Sequence, residues 1–345
     1  MPRDPVPPLR FETVAELKAA PADEPRPFAS VVLFLRSARK RARTGNEFLV
    51  VELGDRSGSF SATCFSDSAT FVFFSEQPEG TVVRLEGATE RYQGKFSPRL
   101  SSVAALTAEE IAEGNWLSRL VESSPESAEA LWEEMQNLIA AIPHEGLRET
   151  VKQVFEDIGD RFRVAPAAVA MHHAYRHGLL EHTVHVARVA RALLPLYVEI
   201  DPSLAMAGVL LHDIGKAIEY EGELVAAKSR IGLLQGHVVL GYRLARQAAM
   251  KIKPRLDTGL LERLEHIILS HQGELEWGAA VLAATPEAVF VALCDNLDAK
   301  MGMTQYALRN TPATQEFSDF LPGLRSSLLI VPPATQLKPP ENESV

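Results

Sequence analysis

Cysteine is nearly absent from this chain. Cys64 and Cys294 are the only two, far apart and both in apolar segments, which argues against a disulfide framework and fits a reducing compartment. Apolar runs long enough to span a bilayer, roughly 18 residues, are also missing, and the opening MPRDPVPPLRFETV has no apolar core of signal-peptide length. These absences lead us to expect a cytoplasmic protein. Positive charge is scarce as well: Lys and Arg number 35 against 45 Asp and Glu, a formal net charge of −10. That balance excludes a general polyanion binder, because nonspecific nucleic-acid affinity comes largely from cations neutralising phosphates. Any nucleic-acid contact must be local. No internal repeat or long low-complexity tract occurs.

What is present divides into two halves. At 345 residues the chain exceeds the usual size of a single core, and its 46% hydrophobic and 23% charged content is that of a globular protein. Residues 27–106 carry β-like segments, Phe28 to Leu35, Glu47 to Leu53, Ser59 to Phe65, Thr81 to Glu86 and Glu90 to Ser101, punctuated by Gly-containing turns. Five short strands in that span predict a small OB-like β-barrel. A local basic run, Arg36, Arg39, Lys40, Arg41 and Arg43, precedes the turn signal Thr44-Gly45-Asn46 and is read as a loop. Phe48, Phe60, Phe65, Tyr92 and Phe96 are available for base stacking beside it. Each aromatic has an alternative reading as barrel core, and the basic run as a solvated loop.

After Leu106 alternation gives way to helical spacing. Thr107-Ala108-Glu109-Glu110 reads as a helix start and Ser127 to Ile142 as an amphipathic helix. The expected organisation is an N-terminal arm (1–26), an OB-fold domain (27–106), a helical connector (107–165), an all-α domain (166–312) and an extended, proline-punctuated arm and tail (313–345).

Metal-capable side chains recur down the helical half: His182, His212, Asp213, His237, His271 and Asp295. Helical phase tests them. From Leu260 the apolar stripe runs Leu261, Leu264, Ile267, Ile268 and continues to His271, whereas His266 shares the opposite face with Glu262 and Arg263. His182 heads a stripe of Val186, Val189 and Leu193, and Asp295 follows Ala288, Val291 and Ala292 on a helix opened by Thr285-Pro286. His212 and Asp213 close the apolar helix Leu204 to Leu211, and the glycines around His237 allow close helix approach. A carboxylate buried without a partner is costly, so Asp213 and Asp295 require a cation. Imidazole and carboxylate suit borderline divalent ions, which turn water into a nucleophile near neutral pH. A metal-dependent phosphohydrolase follows.

This order of ligands resembles the HD-domain metal-dependent phosphohydrolases, an all-helical superfamily. Ala165-Pro166-Ala167-Ala168, His172-His173-Ala174-Tyr175, Gly178 to Thr183, Leu211 to Lys216, Leu269-Ser270-His271 and Asp295 to Lys300 look more specifically like the YhaM-type 3′–5′ exoribonucleases, which also carry an N-terminal OB-fold. The resemblance covers roughly residues 27 to 305. It implies that His182, His212, Asp213 and Asp295 hold one ion, that His237 and His271 complete a second site, and that Asp213 bridges the two. It also implies Mn²⁺ as the metal, with Fe²⁺, Mg²⁺, Zn²⁺ or Ni²⁺ as alternatives. Asp213 and Lys216 are the expected catalytic residues, Lys216 meeting a phosphate oxygen. Arg176, His177, Arg39, Lys40, Arg41, Arg43 and Tyr92 are the expected substrate contacts, with single-stranded RNA or DNA as partner and a homo-oligomer as one assembly. His177 and His185 are candidate general acids.

The chain departs from the family pattern in three places. Tyr175 is followed by Arg176-His177-Gly178 rather than a small residue and two glycines, the His-His doublet is His271-Gln272, and the Gly-Ser-Pro that follows it is Gly278-Ala279-Ala280. Two other readings remain open: an HD-domain phosphohydrolase or phosphodiesterase acting on small nucleotides, and a non-catalytic nucleic-acid-binding adaptor.

Overall fold

Four of the alternating segments of the first hundred residues lie in one sheet, whereas the fifth, Glu90 to Ser101, divides between a separate two-stranded hairpin and the last strand of that sheet. A computed structural model describes residues 10–21, 25–42, 45–92, 94–124, 126–168, 175–222, 224–312 and 314–330. The chain divides into two compact units, Met1–Ser123 with Gly222–Ala227, and Ser124–Glu221 with Lys228–Val345. Among the described residues no helix is long and apolar enough to cross a membrane.

The first unit opens with α1 (Val14–Ala19), capped by Thr13 and Glu16 in a reciprocal capping box. The segment expected to be only an arm therefore contains a helix, and Val14 and Leu17 are buried in the core of the sheet. Strands β1 (Pro27–Arg41), β2 (Glu47–Asp55) and β3 (Gly58–Phe65) follow, then α2 (Ala69–Glu76), β4 (Val82–Ala88), the short β5 (Arg91–Tyr92) and β6 (Lys95–Phe96), and β7 (Arg99–Ala105). The main sheet is antiparallel and five-stranded in the order β3-β2-β1-β4-β7. β1 serves two partners, β4 along its first half and β2 along its second, with a register shift between Phe34 and Arg36. Such an irregularity bends a strand and lets a sheet coil. The expected OB-like order is present but the expected closure is not, because the outer strands β3 and β7 are not hydrogen-bonded to each other. The inward residues Leu49, Val51, Leu53, Phe60, Ala62 and Cys64 form the core with Phe34 and Phe74, whose ring centroids lie 4.9 Å apart. After the sheet come α3 (Ala108–Glu113) and α4 (Leu117–Leu120). They belong to the first unit, and the second unit begins at Ser124.

The second unit is helical: α5 (Ala128–Ala140), α6 (Glu145–Val164), α7 (Gly178–Leu193), α8 (Pro202–Leu211), α9 (Lys216–Glu219), the two-residue strands β8 (Tyr220–Glu221) and β9 (Ala227–Lys228), α10 (Arg230–Lys251), α11 (Thr258–Ser270) and α12 (Pro286–Asn310). Helix α8 is apolar on every side and buried from Ser203 to Leu211, as expected of a helix enclosed by others. It starts on Asp201, whose carboxylate accepts from the Ser203 and Leu204 amides, and it delivers His212 and Asp213 at its other end. Two glycines shape the neighbourhood. Gly236 has φ +69° and ψ 159° and breaks α10 immediately before His237. A Cβ at Gly215 would sit 2.0 Å from the His237 carbonyl oxygen, so only glycine permits this approach of α9 to α10.

Candidate functional sites

The histidine and aspartate side chains selected by helical phase converge in the second unit. His182 comes from α7, His212 and Asp213 from the end of α8, His237 from α10, His271 from the end of α11 and Asp295 from α12. His182, His212, Asp213 and His271 are buried, while His237 and Asp295 retain a little exposure. Asp213 is the centre. Its Oδ2 lies 3.5 Å from both His182 Nε2 and His212 Nε2, and its Oδ1 lies 3.5 Å from His237 Nε2 and 3.4 Å from His271 Nε2. Asp295 Oδ1 joins the first set, 3.2 Å from His182 Nε2 and 3.7 Å from His212 Nε2. Two groups thus share one carboxylate, either of which could hold an ion.

The donor chemistry fits divalent ions. Three imidazole Nδ1 atoms are hydrogen-bonded to acceptors, His182 to Asp298 Oδ2 at 2.7 Å, His212 to the Val209 carbonyl at 2.6 Å and His271 to the Ile268 carbonyl at 2.8 Å, and His237 Nδ1 lies 3.0 Å from Glu219 Oε2 without a well-formed hydrogen bond. A neutral ring that donates from Nδ1 offers a lone pair at Nε2. The four Nε2 atoms therefore bring lone pairs toward carboxylate oxygens, with His182 and His212 Nε2 only 3.2 Å apart. Both Asp213 oxygens are buried without a well-formed hydrogen bond, and among the described residues the one cation of the chain close to them, Lys216, reaches only Oδ2, at 2.6 Å, leaving Oδ1 to the His237 and His271 rings. Acceptors facing acceptors in a buried space need a cation between them, and carboxylate partners on ligating imidazoles are the usual device for orienting metal ligands.

The electrostatics express the same demand. Burial would lower His182, yet hydrogen bonds to Asp213, Asp295 and Asp298 hold it well above the ordinary imidazole range, so a proton on Nε2 competes with a divalent ion for the place between the ring and these carboxylates. Burial would raise Asp213, but the charges of Lys216 and His212 and hydrogen bonds from His182 and His212 keep it well below the usual carboxylate range. Asp295, despite burial, is held down to about 2 by its hydrogen bond from His182. His237 is lowered, chiefly by burial, against the pull of Glu219. Lys216 Nζ lies 2.6 Å from Asp213 Oδ2, so this lysine is tied to the shared carboxylate instead of standing free.

Other expected residues lie elsewhere in the unit. His177, with φ +69°, directs Nδ1 to the Arg163 carbonyl and Nε2 to the Arg176 guanidinium. His185 is held by Glu126 at 2.7 Å and lies 3.5 Å from Asp298. Both candidate general acids thus have each ring nitrogen engaged within the protein. His266 accepts from the Ala284 amide and is not among the converging rings. His172 and His173 lie outside the described residues. Asp298 and Glu219 were missed from sequence. Asp298 carries a usable signal, since it lies three residues after Asp295 and so shares its helix face. Glu219 carries none.

In the first unit the basic run is not a loop. Arg36 to Arg41 continue β1 and pair with β2, which places carboxylates beside them: Arg36 bonds Glu52 at 2.5 Å, and Arg39 and Arg41 reach Glu47 at 3.2 and 3.3 Å. Lys40 lies in register with Phe48, which is in turn opposite Phe65. Arg43 lies outside the described residues. Phe60 is core, and Phe96 meets it edge-on at 5.5 Å, whereas Phe65 and Tyr92 are 62% and 70% exposed. A second basic surface was missed: Lys18, Arg91 and Lys95 line a hollow with Ser59, Phe60, Ser61 and Phe96, and no carboxylate lines it among the described residues.

Comparison with known proteins agrees with this geometry. The HD domain family matches residues 179–300. The 3′–5′ exoribonuclease YhaM of Shouchella clausii (strain KSM-K16) is 30% identical over 292 residues, 83% of this chain and 88% of that protein. Among solved structures, a chain from "Structure and Conformational Change of a Replication Protein A Heterotrimer Bound to ssDNA" matches 31% of this chain and 87% of its own length at 15% identity. Its TM-score of 0.25 is too low to carry an argument. The likeness to the exoribonuclease covers most of both chains, and the HD match spans the whole metal-capable set; on that ground the chain belongs to the YhaM family of HD-domain exoribonucleases.

Proposed function

We propose that this hydrolase removes nucleotides from the 3′ end of single-stranded RNA, releasing nucleoside 5′-monophosphates, with Mn²⁺ as its metal. The observation that carries the reading is Asp213, whose two oxygens face two separate histidine pairs. His182, His212, Asp213 and Asp295 would hold one ion, and Asp213, His237 and His271 a second. Such ions supply an acidified water and positive charge against the scissile phosphate. The protein's own groups do the rest. Asp298 and Glu219 hold His182 and His237 in the tautomer that presents Nε2. Lys216 fixes the shared carboxylate and adds buried positive charge where negative charge develops on phosphate. Arg176 uses part of its donor fork on His177 and has others for a substrate phosphate.

The sheet unit would hold the strand. Lys18, Arg91 and Lys95 line a hollow with no carboxylate among the described residues, Lys40 and Tyr92 are further contacts, and the exposed Phe65 gives a base a ring to stack on. Arg39 and Arg41 contribute less, because Glu47 already neutralises them.

The test digests matched RNA and DNA strands, labelled at either end, with the purified protein across Mn²⁺, Mg²⁺, Fe²⁺, Zn²⁺ and Ni²⁺. Stepwise 5′-monophosphates from the 3′ end are expected. Cleavage confined to free nucleotides would move the reading to a small-nucleotide phosphohydrolase, and binding without hydrolysis to an adaptor.

A further inference from the structure

Gln272 directly follows His271, and its amide nitrogen lies 3.0 Å from His271 Nε2 and 3.1 Å from His237 Nε2. The chemistry of the two rings decides which end of the amide faces them. His237 Nδ1 faces a carboxylate and His271 Nδ1 faces a carbonyl. Both partners are acceptors, so each Nδ1 carries the ring hydrogen and each Nε2 presents a lone pair. An amide NH₂ brings two hydrogens, one for each lone pair; the amide oxygen would bring only more lone pairs. The hydrogen-bond network thus orients Gln272 as a double donor. The other half of the centre differs in two ways: it has a further carboxylate, Asp295, 3.2 Å from His182 Nε2, and the cation beside it, Lys216, engages an Asp213 oxygen at 2.6 Å and not an imidazole lone pair.

We propose that Gln272 is a built-in competitor at one half of the metal centre. Its amide engages the two imidazole lone pairs that a divalent ion at Asp213, His237 and His271 needs, so this half binds an ion more weakly than His182, His212, Asp213 and Asp295 do. The inference rests on the two-ion reading of Asp213. It makes occupancy of the second half, and any rate that depends on it, respond to the free concentration of the ion while the first half stays filled.

The test titrates Mn²⁺ into the full-length, metal-stripped protein, following heat and the electron paramagnetic resonance of free Mn²⁺, with no activity assay involved. The wild type should bind in two unequal steps. Gln272→Ala should tighten the weaker step by about tenfold, the scale of losing two modest competing hydrogen bonds, and leave the tighter step unchanged. The unchanged step doubles as a folding control. Should the alanine variant not fold, Gln272→Leu keeps the bulk without the donors and carries the same expectation. Equal steps in the wild type overturn the proposal, as does a variant still unable to take the weaker ion. A weaker step made weaker still also overturns it and makes Gln272 a ligand through its oxygen. A folded wild type that binds no divalent ion defeats the metal reading itself, an outcome separate from these.

Discussion

Asp298 accepts a hydrogen bond from His182 Nδ1 at 2.7 Å, joining two residues 116 apart in sequence. The bond commits the ring to one tautomer and aims Nε2 at Asp213 and Asp295. Asp298 is therefore a positioning residue. Asp298→Ala should weaken divalent-ion binding by about 10- to 100-fold. Asp298→Asn keeps an acceptor and should recover part of that loss. Calorimetric titration with Mn²⁺ checks both, and unchanged affinity in the alanine variant would refute the role.

Asp213→Ala should reduce hydrolysis to background while the fold survives. Among the described residues the shared carboxylate alone belongs to both candidate ion sites, so its loss opens both halves of the centre. Removing it also leaves the buried Lys216 ammonium without its 2.6 Å partner, which costs stability by ~3–5 kcal/mol. A double variant, Asp213→Ala with Lys216→Met, should regain stability without regaining activity. Circular dichroism with chemical denaturation, alongside a metal-replete nuclease assay, separates the two effects. Activity in folded Asp213→Ala would sink the mechanism.

Charge removal in the sheet unit should affect RNA affinity unevenly. Lys18→Ala, Arg91→Ala and Lys95→Ala together should lower affinity for a long single strand and flatten its salt dependence by about 0.7 in log–log slope for each phosphate no longer neutralised. Arg39→Ala with Arg41→Ala should do less, since Glu47 offsets both. Fluorescence anisotropy at several salt concentrations gives the slopes. Identical losses for the two sets would show that the ion pairs do not decide which cations bind.

Acid should weaken the helical unit partly through Glu126. Hydrogen bonds from Arg188 first, and then from His185, hold its pKa down to about 2, against an ordinary value of 4.5. A carboxylate lowered on folding contributes stability above its unfolded pKa and loses it as pH falls toward the folded one. The contribution should therefore fade between about pH 4.5 and 2. Glu126→Gln should flatten that part of the stability–pH curve. Parallel denaturation curves for wild type and variant across this window would contradict the assignment.

Gly215→Ala should destabilise the protein by ~1–3 kcal/mol, because the added Cβ would lie 2.0 Å from the His237 carbonyl and force α9 and α10 apart. Urea denaturation measures the loss, and an unchanged midpoint would mean that the helices separate at no cost.

Much of the candidate metal centre is legible in the sequence because helix geometry is periodic. The stripe through Leu264, Ile267 and Ile268 points His271 inward and His266 away, and the folded chain places the two rings accordingly. Caps are legible for a similar local reason: Ser127 and Thr285 accept from Ala130 and Ala288 amides at the starts of α5 and α12. The basic run misleads because its meaning depends on register. Arg36 to Arg41 look like a charged loop until β2 lies beside them and brings Glu47 and Glu52 within reach. Sheet closure is not legible either, since it depends on whether β3 and β7 meet and not on any local pattern.

The sequence by itself determined which residue types could bind metal, which faces of their helices would be buried, and the presence of an OB-like strand order. These follow from backbone periodicity and from the cost of burying an unpaired charge. Only the tertiary structure decided that one carboxylate serves both histidine pairs, that Asp298 and Glu219 orient two of the rings, and that Gln272 donates to the other half. Those relations join side chains from different helices, and their distances are set by how the helices pack.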